Sequence, residues 1–309
     1  MVIVNPTKFE NLPAVRRRID RVADDVGFPA PRWVETTAQD PGFGQTRAAL
    51  QAGARLVCVL GGDGTVRAVA EVLAGTGVPL GLLPGGTGNL LARNVGAPVA
   101  RLETAMITAL TGRNRAIDIG WLIIDPTQEQ RAHPNPAELR DDPNVHAFTV
   151  MAGLGFDAQI MVDAPEEVKA KVGWAAYVVS ASKHLRDAPF QAGIELDGRV
   201  GKTRGTRTVV VGNCGRLTGG MVLLPEAAVD DGVLDVARVS PRTLAQWATM
   251  ATRVLTRREN GGPHLTRRRG REVVVRVQPT QLVQVDGDDL VTASVLRFVV
   301  DPGALVVRS

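Results

Sequence analysis

Short apolar runs alternate with longer amphipathic stretches over the first hundred residues, and the two repeat lengths predict different elements. "VIVN" (2–5), "RWVET" (32–36), "RLVCVL" (55–60) and "PLGLL" (79–83) have strand character. The third is a continuous apolar run ending in glycines, the pattern of a strand buried on both faces of a sheet. Residues 13–26, 43–53, 66–75 and 88–94 carry helical patterns. In the third of these Val66, Val69, Ala70 and Leu73 share one face, and Gly75 stands where a helix ends. Repeated alternation of this kind predicts an open, largely parallel α/β sheet.

After about residue 115 the period changes. "AIDIGWLII", "AFTVMAG", "AGIELDG", "RTVVVGN", "GVLDVARV", "EVVVRV", "LVQVDG" and "VLRFVV" are short alternating runs separated by Gly, Asp and Pro. They predict an antiparallel β-sandwich, interrupted by helices at 165–186 and 241–257. The polar, Pro-containing stretch from Asp125 to Val145 is expected as a surface loop. A chain of 309 residues with 44% hydrophobic content exceeds the size at which single cores usually split. Two domains are therefore expected: 1–115, to which residues 303–309 are free to return, and 116–302.

No run approaches the roughly 18 uninterrupted apolar residues of a membrane-spanning helix, and "MVIVNPTK" lacks the layout of a signal peptide. A cytoplasmic location is expected. Cys58 and Cys214 lie in apolar or strand-like surroundings and are expected as small core residues, with neither a disulfide framework nor a cysteine metal site. The formal charge of +4 comes from arginine, because only five of the 36 basic residues are lysines. Arg16, Arg17 and Arg18 form one cluster and Arg267, Arg268, Arg269 and Arg271 another. Each is either a solvated face or a surface attracted to anionic lipid headgroups. Nucleic acid is not expected as a partner, since aromatic residues are 4% of the chain and do not interleave with the basic clusters.

Three suggestive patterns lack their supporting context. "GKT" (201–203) ends like a phosphate-binding P-loop, but Leu196 stands where the required glycine belongs. "GLGFDA" (153–158) mimics a dinucleotide fingerprint with no acidic residue closing a second strand. His133, His146, His184 and His264 show no metal-ligand spacing.

The specific signal is a pair of turns. "GGDGT" (61–65) ends one buried strand and "PGGTGN" (84–89) ends the next. In a parallel sheet both emerge at the carboxyl ends of strands, where ligands of such folds bind. They form a glycine-lined crevice carrying Asp63, Thr65, Thr87 and Asn89. Glycines and a helix N-terminus invite phosphate, which Asp63 should repel. The conflict is removed if Mg²⁺ lies between them, because this ion binds through one or two carboxylates plus phosphate oxygens. Phosphoryl transfer then needs a group to orient or deprotonate the nucleophile.

"GGDGTVRAVAEVL" and "PGGTGNLLARN" resemble the two signature segments of the diacylglycerol kinase catalytic domain, found in soluble bacterial lipid kinases and sphingosine kinases. The resemblance continues through "NPTK", "AGLGFDAQI", "GGMVLLPEAAVDDGVLDVARV" and "QVDGDDL", and so spans nearly the whole chain. "GGDGT" alone is shared with NAD kinases and phosphofructokinases, whose α/β fold the first domain is expected to share; the second turn and "PEAAVDDGVLDV" decide the assignment.

The resemblance implies an ATP- and Mg²⁺-dependent kinase acting on a lipid hydroxyl at a membrane surface, most simply that of diacylglycerol. Residues 1–115 then bind nucleotide and 116–302 the lipid, with peripheral contact at the inner face of the membrane and a homodimer as one option for assembly. By position it assigns ATP to Gly61, Gly62, Asp63, Gly64, Thr65, Gly86, Thr87 and Asn89, together with Thr36, with Thr37 as an alternative. It places a structural Mg²⁺ on Asp231, helped by the backbone carbonyls of Ala228 and Val233. An acid turn of this kind is also a hairpin signal. Where the family usually reads D-G-E, this chain has Asp286, Gly287 and Asp288, so the base expected for the lipid hydroxyl is one methylene shorter. Asp289 is the neighbouring candidate. Two alternatives follow: a regulator that kept the fold and lost catalysis at Asp288, and an NAD kinase, whose second signature is missing. The amphipathic stretch 168–185 is either core packing or a lipid-facing surface.

Overall fold

The computed structural model describes residues 1–155, 189–216, 222–241 and 264–309, with residues 243, 245, 246 and 249. The expected helices at 165–186 and 241–257, the stretch 168–185, His184 and the second half of "GLGFDA" lie outside the residues described, wholly or in large part.

The N-terminal part alternates β1 (Val2–Val4), α1 (Leu12–Asp25), β2 (Trp33–Glu35), α2 (Phe43–Gln51), β3 (Val57–Gly61), α3 (Asp63–Leu73), β4 (Leu80–Pro84) and α4 (Leu90–Val95). A fifth helix, α5 (Leu102–Thr111), follows beyond the expected alternation. The strands β2, β1, β3 and β4 pair in parallel in that spatial order. All five residues of β3 are buried, for the reason its sequence suggests. Val57 and Val59 pack with Val66, Val69 and Leu73 of α3, while Cys58 and Leu60 pack with Ile19 of α1 and Met106 of α5.

The C-terminal part is built from β5 (Asn114–Ile124), β6 (Val145–Phe148), β7 (Met151–Leu154), β8 (Phe190–Leu196), β9 (Arg199–Val200), β10 (Arg204–Thr206), β11 (Thr208–Gly212), β12 (Leu234–Val239), β13 (Leu265–Gly270), β14 (Glu272–Val285) and β15 (Asp288–Arg308). Among the residues described, its pairings are antiparallel, apart from β15 with β4. At 21 residues, β15 pairs with β14 and β5 and ends with Val307 beside Leu80 of β4. One hydrogen-bonded sheet therefore runs from the first strand to the last. The inward-facing residues of β14, β15, β7, β8, β11 and β12 form a second apolar core around Phe148, Phe298 and Val275.

Three expectations are corrected. "AFTVMAG" is not one strand: it breaks between β6 and β7, because the N–H groups of Thr149 and Val150 turn to the side chain of Asp286. "EVVVRV" and "LVQVDG" merge into the single strand β14, with an irregularity in its pairing between Arg276 and Gln281. The 125–145 loop contains a short helix α6 (Gln128–Ala132), opened by reciprocal hydrogen bonds between Thr127 and Gln130.

Candidate active site

Helix α3 begins at the glycine turn and is buried over every residue from Thr65 to Leu73. Its apolar periodicity accounts for one buried face; the other is covered by the β-rich part. There Glu71 accepts the N–H of Ala147 in β6 at 3.0 Å, and Arg67 bonds the carboxylate of Asp288 at 2.9 Å. The start of α3 thus lies at the junction of the two parts of the chain.

The two glycine turns are in backbone contact. A Cβ on Gly85 would stand 2.7 Å from the nitrogen of Gly61, and one on Gly86 would stand 2.9 Å from the Cα of Gly62. No side chain fits there, so the second turn packs on the first through bare backbone. Gly88 is equally constrained, since its Cβ would lie 2.4 Å from Oδ2 of Asp63. Oδ1 of Asp63 accepts the N–H of Leu90, at the start of α4, at 2.6 Å. Asp63 is thus held across the crevice by the opposite turn, while its own place in the first turn of α3 favours an anion.

Burial pushes the Asp63 carboxyl above its ordinary range, the Leu90 N–H pulls it back, and the charge of Asp286 raises it further. A desolvated carboxylate beside a second acid, in a crevice lined by glycine, fits a hydrated divalent cation. Lys8, in the 3-10 turn Pro6–Lys8, brings its Cε to 3.7 Å from where a Cβ of Gly62 would stand. An exposed positive charge therefore borders the first turn.

The other expected residues divide by location. Thr65 is buried and folds back on Gly61, whose Cβ would meet its side chain at 2.9 Å. Thr87 is exposed on the second turn. Asn89 adopts a left-handed backbone, and its side chain exchanges hydrogen bonds with the backbone of Gly86, which fixes the shape of that turn. Thr36 is buried at the end of β2, separated from β3 by β1, and donates its N–H to Val4. Thr37 accepts the N–H of Asp40 and is exposed.

Asp286 and Asp288 sit in and just after the two-residue turn joining β14 to β15, in which Asp286 and Gly287 have positive φ of 48° and 95°. Asp286 is buried and accepts four hydrogen bonds: from the N–H and hydroxyl of Thr149 and from the N–H groups of Val150 and Met151. Burial raises its carboxyl and these four bonds oppose the rise. It anchors the hairpin and leaves Asp288 facing α3, where a Cβ on Gly64 would come within 3.0 Å of its Oδ2. Asp289, the next residue along the strand, is bonded by Gln284 instead. The sequence reading gave no role to Arg67. The available signal was an arginine one turn after Asp63, four residues before the helix's Glu71, in a largely apolar helix.

Asp231, Ala228 and Val233 lie in a separate loop before β12. Asp231 is paired with Arg269, which also reaches Asp235 at 3.3 Å, and its Oδ1 accepts the N–H of Val233 at 3.3 Å. Both oxygens of the aspartate expected to hold a cation are thus engaged within the chain, one by a guanidinium and the other by the N–H of Val233. Asp118 ties the same loop down by accepting from Gly232 and Gly303. The first basic cluster is partly engaged in exposed ion pairs within the chain as well: Arg16 pairs with Glu35, and Arg18 with Glu103.

An open α/β sheet with paired glycine turns, joined to a β-sandwich that brings an acid to the same crevice, defines a two-part class of protein. The chain matches the diacylglycerol kinase catalytic domain over residues 1–122 and the YegS C-terminal NAD kinase beta sandwich-like domain over residues 149–309. It is 34% identical over 270 residues to a Pseudomonas aeruginosa protein named "Probable lipid kinase YegS-like", covering 84% of this chain and 78% of that one. A Mycobacterium tuberculosis diacylglycerol kinase is 31% identical over 193 residues, 61% of this chain and 56% of that protein. The chain thus spans little more than half the length of that relative. A Bacillus anthracis diacylglycerol kinase crystal structure superposes with a TM-score of 0.68 at 19% identity, covering 99% of this chain and 95% of that one, which shows the shared fold.

The chain belongs to the diacylglycerol kinase and YegS-like lipid kinase family. Among the residues described, no helix is long and apolar enough to cross a membrane.

Proposed function

We propose that the protein transfers the γ-phosphoryl group of ATP to a lipid hydroxyl, with diacylglycerol as the first substrate to test and phosphatidic acid as the product. The observation that carries this reading is the approach of Asp288 to the first turn of α3, beside Asp63 and the paired glycine turns, from 225 residues away in the chain. The backbone N–H groups of the two turns hold phosphate oxygens, and Lys8 adds charge beside them. Asp63 is the residue that would hold Mg²⁺, which neutralises charge on the phosphates when bound.

Asp288 accepts the proton of the lipid hydroxyl as that oxygen bonds to the γ-phosphorus. The bond from γ-phosphorus to the bridging oxygen breaks, and ADP leaves. The lipid approaches from a membrane surface, with exposed Arg17, Arg268 and Arg271 available to anionic headgroups. The test is incubation of the pure protein with ATP, Mg²⁺ and mixed micelles of diacylglycerol, followed by detection of phosphatidic acid. Intact nucleotide binding with no product from a panel of lipid alcohols would refute it.

A further inference from the structure

Arg67 is 9% exposed, and its Nε has no hydrogen-bond partner among the residues described. An arginine buried in the core-facing body of a helix is a poor stabiliser, because an apolar residue of similar volume fills such a position at no desolvation penalty. Its surroundings show what it does instead. One guanidinium nitrogen bonds Oδ2 of Asp288 at 2.9 Å. Glu71, one turn further along α3, is held by Ala147 N–H and feels the Arg67 charge, as does His146, whose imidazole burial and Arg67 together hold down. The helix is thereby fixed one turn beyond Arg67 and the arginine itself is buried, so the guanidinium has little freedom to follow Asp288 if the aspartate moves.

The Asp288 side chain is about half exposed, and among the described residues its carboxylate has no second hydrogen-bond or ion-pair partner, whereas Gly64 leaves open the space it occupies over the first turn of α3. We propose that Arg67 is a positioning residue for Asp288: a buried guanidinium that fixes a short carboxylate over the start of α3, where the lipid hydroxyl and the γ-phosphate meet. The inference rests on the phosphotransfer reading above and deepens it. It explains how an aspartate serves where a longer side chain would reach unaided. A carboxylate displaced by about 1 Å loses on the order of 10²-fold in rate, so an anchor at this point bears directly on turnover.

The test uses the full chain and four variants, R67A, R67K, D288N and the double variant R67A/D288N, each checked for folding by thermal melting. With ATP, Mg²⁺ and diacylglycerol micelles, R67A should lose about 10²-fold in kcat while KM for ATP moves less than about threefold. R67K, which retains the charge and is expected to fold if R67A does not, should recover part of the loss. The double variant should be no slower than D288N alone, because Arg67 acts through the carboxylate that D288N removes. Wild-type kcat in R67A or R67K-like loss from ATP binding alone would overturn the proposal, as would a further fall in the double variant.

Crystal structures of the wild type and R67K, and of R67A where it folds, give a readout independent of turnover. The Asp288 side chain should rest on residue 67 in the first two and leave α3 in the third. An inactive wild type with Asp288 so held would defeat the lipid kinase reading and leave the positioning role standing. Asp288 turned away from Arg67 in the wild type would defeat the positioning role whatever the activity.

Discussion

Asp286 receives both the backbone N–H and the hydroxyl of Thr149, at 2.8 and 2.9 Å, across 137 residues of sequence. With the N–H groups of Val150 and Met151 on its other oxygen, this one carboxylate closes the gap between β6 and β7 and sets the hairpin that presents Asp288. Asp286→Ala would leave three buried donors and one part-buried donor unsatisfied, each buried one costing about 1–3 kcal/mol. Loss of several kcal/mol is expected, enough to unfold a domain of ordinary stability. Thr149→Val, which removes only the hydroxyl, should cost about 1–2 kcal/mol. Urea unfolding of both variants checks the ranking.

Asp63→Asn should separate stability from function. The amide oxygen can still accept the Leu90 N–H, while the desolvated charge opposed by Asp286 disappears. Because the Asp63 carboxyl is raised in the folded protein, its contribution to stability is greatest at low pH and is lost as pH rises through the raised value. At pH 7 the variant should therefore melt at or above the wild-type temperature and lose Mg²⁺-dependent nucleotide binding. Calorimetry with and without Mg²⁺ reads both effects.

Gly88→Ala tests the contact between the turns. The added methyl would stand 2.4 Å from Asp63 Oδ2, and the helix behind Asp63 is buried throughout, so the second turn or the aspartate must shift. A displacement near 1 Å should lower kcat/KM by about 10²-fold, with little loss of thermal stability because the turn borders solvent. Steady-state kinetics beside a melting curve would show the split.

Asp235 supplies a pH signature remote from the crevice. Burial pushes its carboxyl from the ordinary 3.8 up to about 6, against the downward pull of Arg269. The folded chain therefore keeps a proton over this window that the unfolded chain releases. That stabilisation is complete below about 3.8 and is lost as pH rises through about 6. Asp235→Asn should flatten the fall in melting temperature between those limits, measurable by melts at half-unit pH steps.

Asp288→Glu probes the fit between base and anchor. The longer side chain would carry its carboxylate past the place where Arg67 meets Asp288, so a changed kcat with unaltered nucleotide affinity is expected. A large gain from a near-zero base would mark the native protein as a binding module, and pre-steady-state kinetics would locate the affected step.

Much of the α/β part is legible in local pattern. Strand β3 is apolar at every position because helices cover both its faces, and that burial writes a continuous run into the sequence. The glycine turns are legible for the same kind of reason, since backbone-to-backbone packing excludes every side chain. The full burial of α3 is not legible: Arg67 and Glu71 resemble a solvated face until the β-rich part is placed over them. The placement of the arginine run at 267–269 is not legible either, because it forms β13, in which Arg268 and Arg269 stay exposed and Arg269 turns to Asp231 and Asp235.

By itself the sequence determined the order of elements, the position of the crevice and the acid at the tip of β3, because these depend on burial period and on glycine at close approach. Tertiary structure alone decided which distant groups face that acid. Only chain closure through β14 and β15 brings Asp288 to Arg67 and seats Asp286 on the β6–β7 break, and the pairing of β12 with β13 gives Asp231 an arginine. Contacts between residues 137 and 221 positions apart leave no local period, and the electrostatics of the crevice is set by them.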